Sequence, residues 1–154
     1  MPVRLVSPLL FALAAIFGVL PDPVVAAQPI SRSAPLVVGN DPGGRLRPRI
    51  AEVNRLRANG RRVEIRGDYC MSACTIYLGV GNVCVSPRTQ FGFHGPSFRE
   101  GGNRYARFDR WSRIMAAYYP APVRGWFLSY ARFLTKRHAT VSGLELIQLG
   151  VPRC

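Results

Sequence analysis

The chain has 154 residues, a net charge of +13 with eight acidic residues, and four cysteines. The charge is almost wholly arginine, because Lys136 is the sole lysine. That balance predicts attraction to anionic surfaces such as envelope lipid, weakening with salt. It carries no zinc-finger, helix-turn-helix or RNA-binding aromatic motif, so no specific nucleic-acid site is expected.

The first 27 residues read as a cleaved signal peptide: a basic start at Arg4, an apolar stretch over Leu5–Leu20, and a small-residue cleavage site at Val25-Ala26-Ala27. Its removal leaves 127 residues, 28–154, as one small domain still at +13, because Arg4 and Asp22 leave together. A periplasmic or secreted bacterial location follows. In a small exported chain the even set Cys70, Cys74, Cys84 and Cys154 is read as disulfides, in any of three connectivities. Neither a zinc site nor another metal or cofactor is expected, since no pair of CxxC motifs is present.

Residues 28–35 are a polar, proline-bounded lead-in. Leu36-Val37-Val38 predicts a buried strand entering the tight turn Gly39–Gly44. Leu46, Ile50, Val53 and Leu56 recur at helical spacing over 45–59, with Gly60 as the stop. Val63 and Ile65 alternate with charged residues in a strand over 61–67. Strand, turn, helix and strand make a βαβ unit with parallel neighbours. Groups at the carboxyl ends of such strands gather into sites, which places Gly43 and Gly44 near Ser72.

Ala73–Val80 predicts a short buried helix, Val83-Cys84-Val85 a strand, and Gln90–Phe93 a strand ending at His94. Residues 95–103 form a polar loop suited to a lid or substrate rim. Two aromatic-rich helices follow, over 105–119 and 123–134, with Pro120 and Pro122 between them and their aromatic stripe assigned to the core. Ser142-Gly143-Leu144-Glu145 fits a capping box for a last helix that stops at Gly150.

The chemistry is expected at Ser72 and His94. A serine hydroxyl needs a base within hydrogen-bond reach and donors aimed at the oxyanion it creates. Ser72 stands at a helix start, where free N–H groups favour negative charge. His94 and His138 are the only histidines, and His94 follows a strand. Gly43, Gly44 and Ala73 are candidate oxyanion donors through their main-chain N–H groups.

Three segments carry a resemblance: Asp41-Pro42-Gly43-Gly44, Cys70-Met71-Ser72-Ala73, and Gly92-Phe93-His94-Gly95, whose histidine lies 22 positions after the serine. With the closing Glu145–Val151, they make the chain resemble the Clp-protease/crotonase superfamily, and within it the Clp-type and membrane-associated serine peptidases. The resemblance implies a small ClpP/crotonase-like α/β fold with βαβ units and a helical C-terminal part. It implies a serine peptidase acting on a peptide or protein substrate, and a homo-oligomer. Two departures stand out. The exported chain is too short for the family's opening strand and helix. The family's orienting aspartate has no counterpart at Lys136-Arg137-His138-Ala139, leaving Asp109 or Asp68 as a third member, or a Ser-His dyad. The alternative function is a catalytically weak or inactive member that binds the envelope through its arginines, and a further one puts Cys74 in place of Ser72.

Overall fold

A computed structural model describes residues 34–98 and 104–154. The segment read as a signal peptide, the start of the lead-in, and 99–103 of the polar loop lie outside the described residues. The architecture is mixed α/β, with four α-helices and two small three-stranded sheets among those residues.

The first sheet is all parallel, in the order β1 (Leu36–Val38), β2 (Val63–Ile65), β4 (Val83–Val85). Helix α1 (Leu46–Ala58) crosses from β1 to β2, so the predicted βαβ unit is present. Val53 and Leu56 are its buried residues, with Leu46 and Ile50 packed partly against the same core. Full burial of such a side chain, as at Val53, contributes about 1.5–3 kcal/mol. Pro48 is tolerated because it falls in the first turn, where its missing N–H has no helical acceptor. In β2, Val63 and Ile65 are fully buried while Glu64 pairs with Arg62 and Arg66, and these guanidinium groups hold its carboxyl below the usual range.

The second sheet is mixed, in the order β3 (Tyr69–Met71), β5 (Gln90–Phe93), β6 (Ala139–Ser142), with β3 parallel and β6 antiparallel to β5. Neither β3 nor β6 is evident in the sequence. The segment Ser72–Val80 is a 3₁₀ helix rather than an α-helix. Nine residues is long for that geometry, and packing sustains it, since everything from Ala73 to Val80 is buried. Thr75 Oγ1 meets Tyr119 Oη at 2.9 Å within the core, which ties this helix to the C-terminal half.

The aromatic third divides differently from the periodicity. Helix α2 is Arg104–Ala116 and α3 is Ala121–Ser129, followed by a 3₁₀ turn over Ala131–Phe133. Pro122 does not end a helix but lies in the first turn of α3. The stripe is core only in part: Met115, Tyr119, Val123 and Phe127 are buried, whereas Tyr105, Tyr130 and Phe133 are exposed. The capping box opens α4 (Gly143–Gln148) as expected, with Ser142 Oγ accepting from Glu145 N and Glu145 Oε2 accepting from Ser142 N.

The cysteines pair Cys70–Cys74 and Cys84–Cys154. Two disulfides fit an oxidising compartment outside the cytoplasm. The second joins β4 to the segment that bridges it in parallel at Val85 and Arg153. Among the described residues, no helix is long and apolar enough to cross a membrane.

Candidate active site

Strand β3 and the glycine turn place Ser72. Asp41 N donates to Tyr69 O at 3.1 Å and Met71 N donates to Asp41 O at 2.8 Å, which pairs the turn with β3 immediately before the serine. The Asp41 side chain shapes the turn from within. Its Oδ1 accepts from Gly43 N at 2.7 Å, as an Asx turn does, and its Oδ2 accepts from Arg49 Nη2 at 2.7 Å. Arg49 also donates to Gly43 O at 3.3 Å, and its guanidinium lies 4.3 Å from the centroid of the Tyr77 ring.

Gly43 and Gly44 have φ of +107° and +119°. At Gly43 glycine is also required by space, because a Cβ there would lie 2.6 Å from Met71 O and 2.7 Å from Ser72 Cβ. Ser72 is the one non-glycine residue with positive φ, +55°, among the described residues. A left-handed serine between a strand and a helix costs of order 1–3 kcal/mol and persists only where its surroundings enforce it. Here β3 holds one side of the turn, the 3₁₀ helix the other, and the Cys70–Cys74 disulfide spans the serine.

His94 reaches the same point from the end of β5. Phe93 beside it is fully buried and sits edge-on to Tyr119 and Trp126, with centroids 5.3 and 5.4 Å away, so the core fixes the strand end. His94 Nε2 lies 2.7 Å from Ser72 Oγ, and His94 Nδ1 lies 2.7 Å from the carbonyl oxygen of Gly95. A carbonyl only accepts, so Nδ1 carries the proton and Nε2 presents its lone pair to the serine hydroxyl. Burial pushes the His94 pKa below its ordinary value; the Gly95 bond opposes this, and the nearby His138 ring, 4.8 Å away edge-on, adds to it. His94 is therefore neutral near pH 7, as a base must be.

A cavity of about 660 Å³ opens over this pair. Ser72, His94, Ala73 and Gly44 all line it, as do 95–98 of the predicted rim. The sequence-derived candidates separate here. Gly44 and Ala73 face the cavity, and Ala73 N belongs to the opening turn of a helix, where no preceding helical carbonyl reaches it. Gly43 is corrected: its N–H is taken by Asp41, and it supports Ser72 sterically instead of donating.

Neither proposed acid orients the histidine. Asp68 binds Asn40, its main-chain N donating to Asn40 Oδ1 at 2.6 Å and its Oδ2 accepting from Asn40 Nδ2 at 3.3 Å. Asp109 is held by Arg113 and Arg132, at 2.8 and 3.0 Å, and these arginines keep its carboxyl below the usual range. Cys74 is buried in its disulfide, which removes it as a nucleophile. Among the described residues, no three His, Cys, Asp or Glu side chains gather as a metal set.

Two contributors escaped the sequence: the Gly95 carbonyl and the Asp41–Arg49 clamp. The clamp had a signal, since an Asp two residues before a Gly in a Pro-Gly turn is a common Asx-turn donor set. No protein-family model matches the sequence, and no curated protein matches it.

Proposed function

We propose that this chain is an exported serine hydrolase acting on peptides, with a shortened Clp-protease/crotonase-like fold and a Ser72-His94 dyad. The observation that carries the proposal is the 2.7 Å contact between Ser72 Oγ and His94 Nε2, made by a serine held at φ +55°. A strained nucleophile at a cavity wall, paired with a neutral imidazole, is the arrangement that acyl transfer requires.

The steps follow from the groups present. His94 Nε2 takes the Ser72 proton as Oγ attacks the scissile carbonyl. Negative charge on the former carbonyl oxygen faces the N–H groups of Gly44 and Ala73, while the Gly95 carbonyl holds the imidazolium through Nδ1–H. His94 then returns the proton to the leaving amine as the C–N bond breaks. Water hydrolyses the Ser72 ester by the same route, its proton passing to His94 and then to Ser72 Oγ as the ester bond breaks.

A fluorophosphonate probe tests this. It should label the full chain at Ser72, with no labelling in Ser72→Ala and at least about hundredfold slower labelling in His94→Ala. Folded protein that does not label would overturn the proposal.

A second reading is a binding protein that docks on anionic envelope surfaces. It is favoured by the engagement of Asp68 and Asp109 away from His94 and by the charge of +13. Salt-sensitive binding to anionic vesicles, unchanged in Ser72→Ala and without probe labelling, supports it.

A further inference from the structure

The cavity over Ser72 combines two chemistries that ester or amide hydrolysis alone does not require. Leu46, Phe98, Trp111 and Met115 give it apolar walls. Arg45 and Arg47 line it too, directly after the Gly44 donor, and Arg107 lines it from α2. No acidic residue among the described residues lines it.

The charge adjoins the apolar surface closely. The Arg47 guanidinium lies 5.2 Å from the centroid of the Trp111 ring, and that of Arg107 lies 4.6 Å from the Phe98 ring. The Arg47 guanidinium on the Trp111 face is weakly hydrated and presents its N–H edge to a planar anion, so it suits a carboxylate. Arg45 and Arg47 are exposed, and neither has an acidic partner among the described residues. Extended peptide residues are spaced by about 3.3–3.6 Å, so a ligand side chain against Trp111 puts the next one or two residues within reach of Arg47, with Arg45 lining the same cavity.

We infer that this site takes peptides carrying an apolar side chain with a carboxylate one or two residues away, the apolar group seated against Trp111 and Met115 and the carboxylate on Arg45 and Arg47. The inference rests on the hydrolase reading of the cavity and adds its substrate class. The carboxylate is an acidic side chain or the α-carboxyl of a peptide end, and the two present the same group to the arginines.

Calorimetric titration of full-chain Ser72→Ala, which cannot turn peptides over, tests this with acetyl-Ala-Leu-Glu-amide, acetyl-Ala-Leu-Gln-amide and acetyl-Ala-Leu-Gln as the free acid. At about 0.01 M salt the Glu peptide should bind at least about fivefold more tightly than the neutral one, falling below about twofold at about 1 M salt. Tight binding of the free acid instead identifies the peptide end as the source of the carboxylate, and still supports the inference. Arg45→Gln with Arg47→Gln should abolish the preference, while the paired lysine variants keep it. Arg55→Gln with Arg88→Gln, both outside the cavity, should also keep it.

Equal affinity for all three peptides, or no binding of any, overturns the inference. So does a preference that survives the Arg45 and Arg47 changes, or one lost equally in the remote pair, which would be a net-charge effect. Because binding is read without turnover, unlabelled Ser72 counts against hydrolysis alone, and a missing charge preference in protein whose Ser72 labels counts against the substrate class alone.

Discussion

His94 Nδ1 donates to the main-chain carbonyl of Gly95, its own neighbour, at 2.7 Å. That carbonyl occupies the role an orienting carboxylate has in a catalytic triad: it fixes the tautomer and the ring. It carries no full charge, so it stabilises the imidazolium less than an aspartate would. The carbonyl is itself held, because Gly95 N donates to Leu134 O at 3.1 Å and the residue packs on the turn at Arg132.

Gly95→Ala therefore acts on the base without touching it. A Cβ at Gly95 would collide with the Arg132 carbonyl oxygen, so the Gly95 carbonyl must move off Nδ1. Misplacement of about 1 Å can cost about hundredfold, and a labelling rate at Ser72 reduced on that scale is expected, with circular dichroism checking the fold. A rate within about twofold of the parent would show that the carbonyl does not position His94.

The acid limb of the labelling rate should lie below pH 6.5, because burial, above all, lowers the His94 pKa from that value. The sign for stability is the same. The unfolded chain takes up the proton near 6.5 and the folded chain only at lower pH, so stability falls as pH drops through that window. His138→Gln removes the ring whose electrostatic contribution helps lower the His94 pKa and should move the limb upward. A limb above 6.5 in the parent would contradict this account.

The two disulfides should have separable effects. Cys84–Cys154 spans a separation of 70 residues and Cys70–Cys74 a separation of 4. Loop-closure entropy gives about 4 kcal/mol for the long span and about 2 kcal/mol for the short one. Urea midpoints should fall further in Cys84→Ala with Cys154→Ala than in Cys70→Ala with Cys74→Ala. The labelling rate of folded protein should fall mainly in the second pair, because that bridge spans the left-handed Ser72. The reverse ranking of rates would detach the bridge from the site.

Gly43→Ala should lower both properties. The new Cβ meets Met71 O and Ser72 Cβ, at a backbone φ of +107° that disfavours any side chain. A loss of about 1–3 kcal/mol in denaturant unfolding is expected, with slow labelling in the fraction that stays folded. Gly39→Ala, where a Cβ would meet nothing within 4 Å, serves as the comparison. Equal effects at both positions would place the cost in the loop at large rather than at Ser72.

Much of the architecture was legible locally. The α1 stripe, the alternation in β2 and the Ser142-Glu145 box each express their structure within a few residues. Strands β3 and β6 are three and four residues long, with exposed positions, and exist because β5 lies between them. No local pattern announces a strand whose hydrogen bonds go to residues about 20 to 50 positions away. The aromatic helices misled for a related reason: the periodicity marks a face, and packing decides how much of it is covered, which leaves Tyr130 and Phe133 outside.

The sequence by itself determined the candidate groups, because Ser72, His94 and the glycine turn are marked by residue type and spacing. Only the tertiary structure decided which groups serve them. Each residue but proline has the same main-chain N–H and carbonyl, so nothing in the residue string singles out the Gly95 oxygen for His94 or assigns the Gly43 N–H to Asp41. Those choices depend on distances of a few tenths of an ångström, set when β3, β5 and the turn pack together.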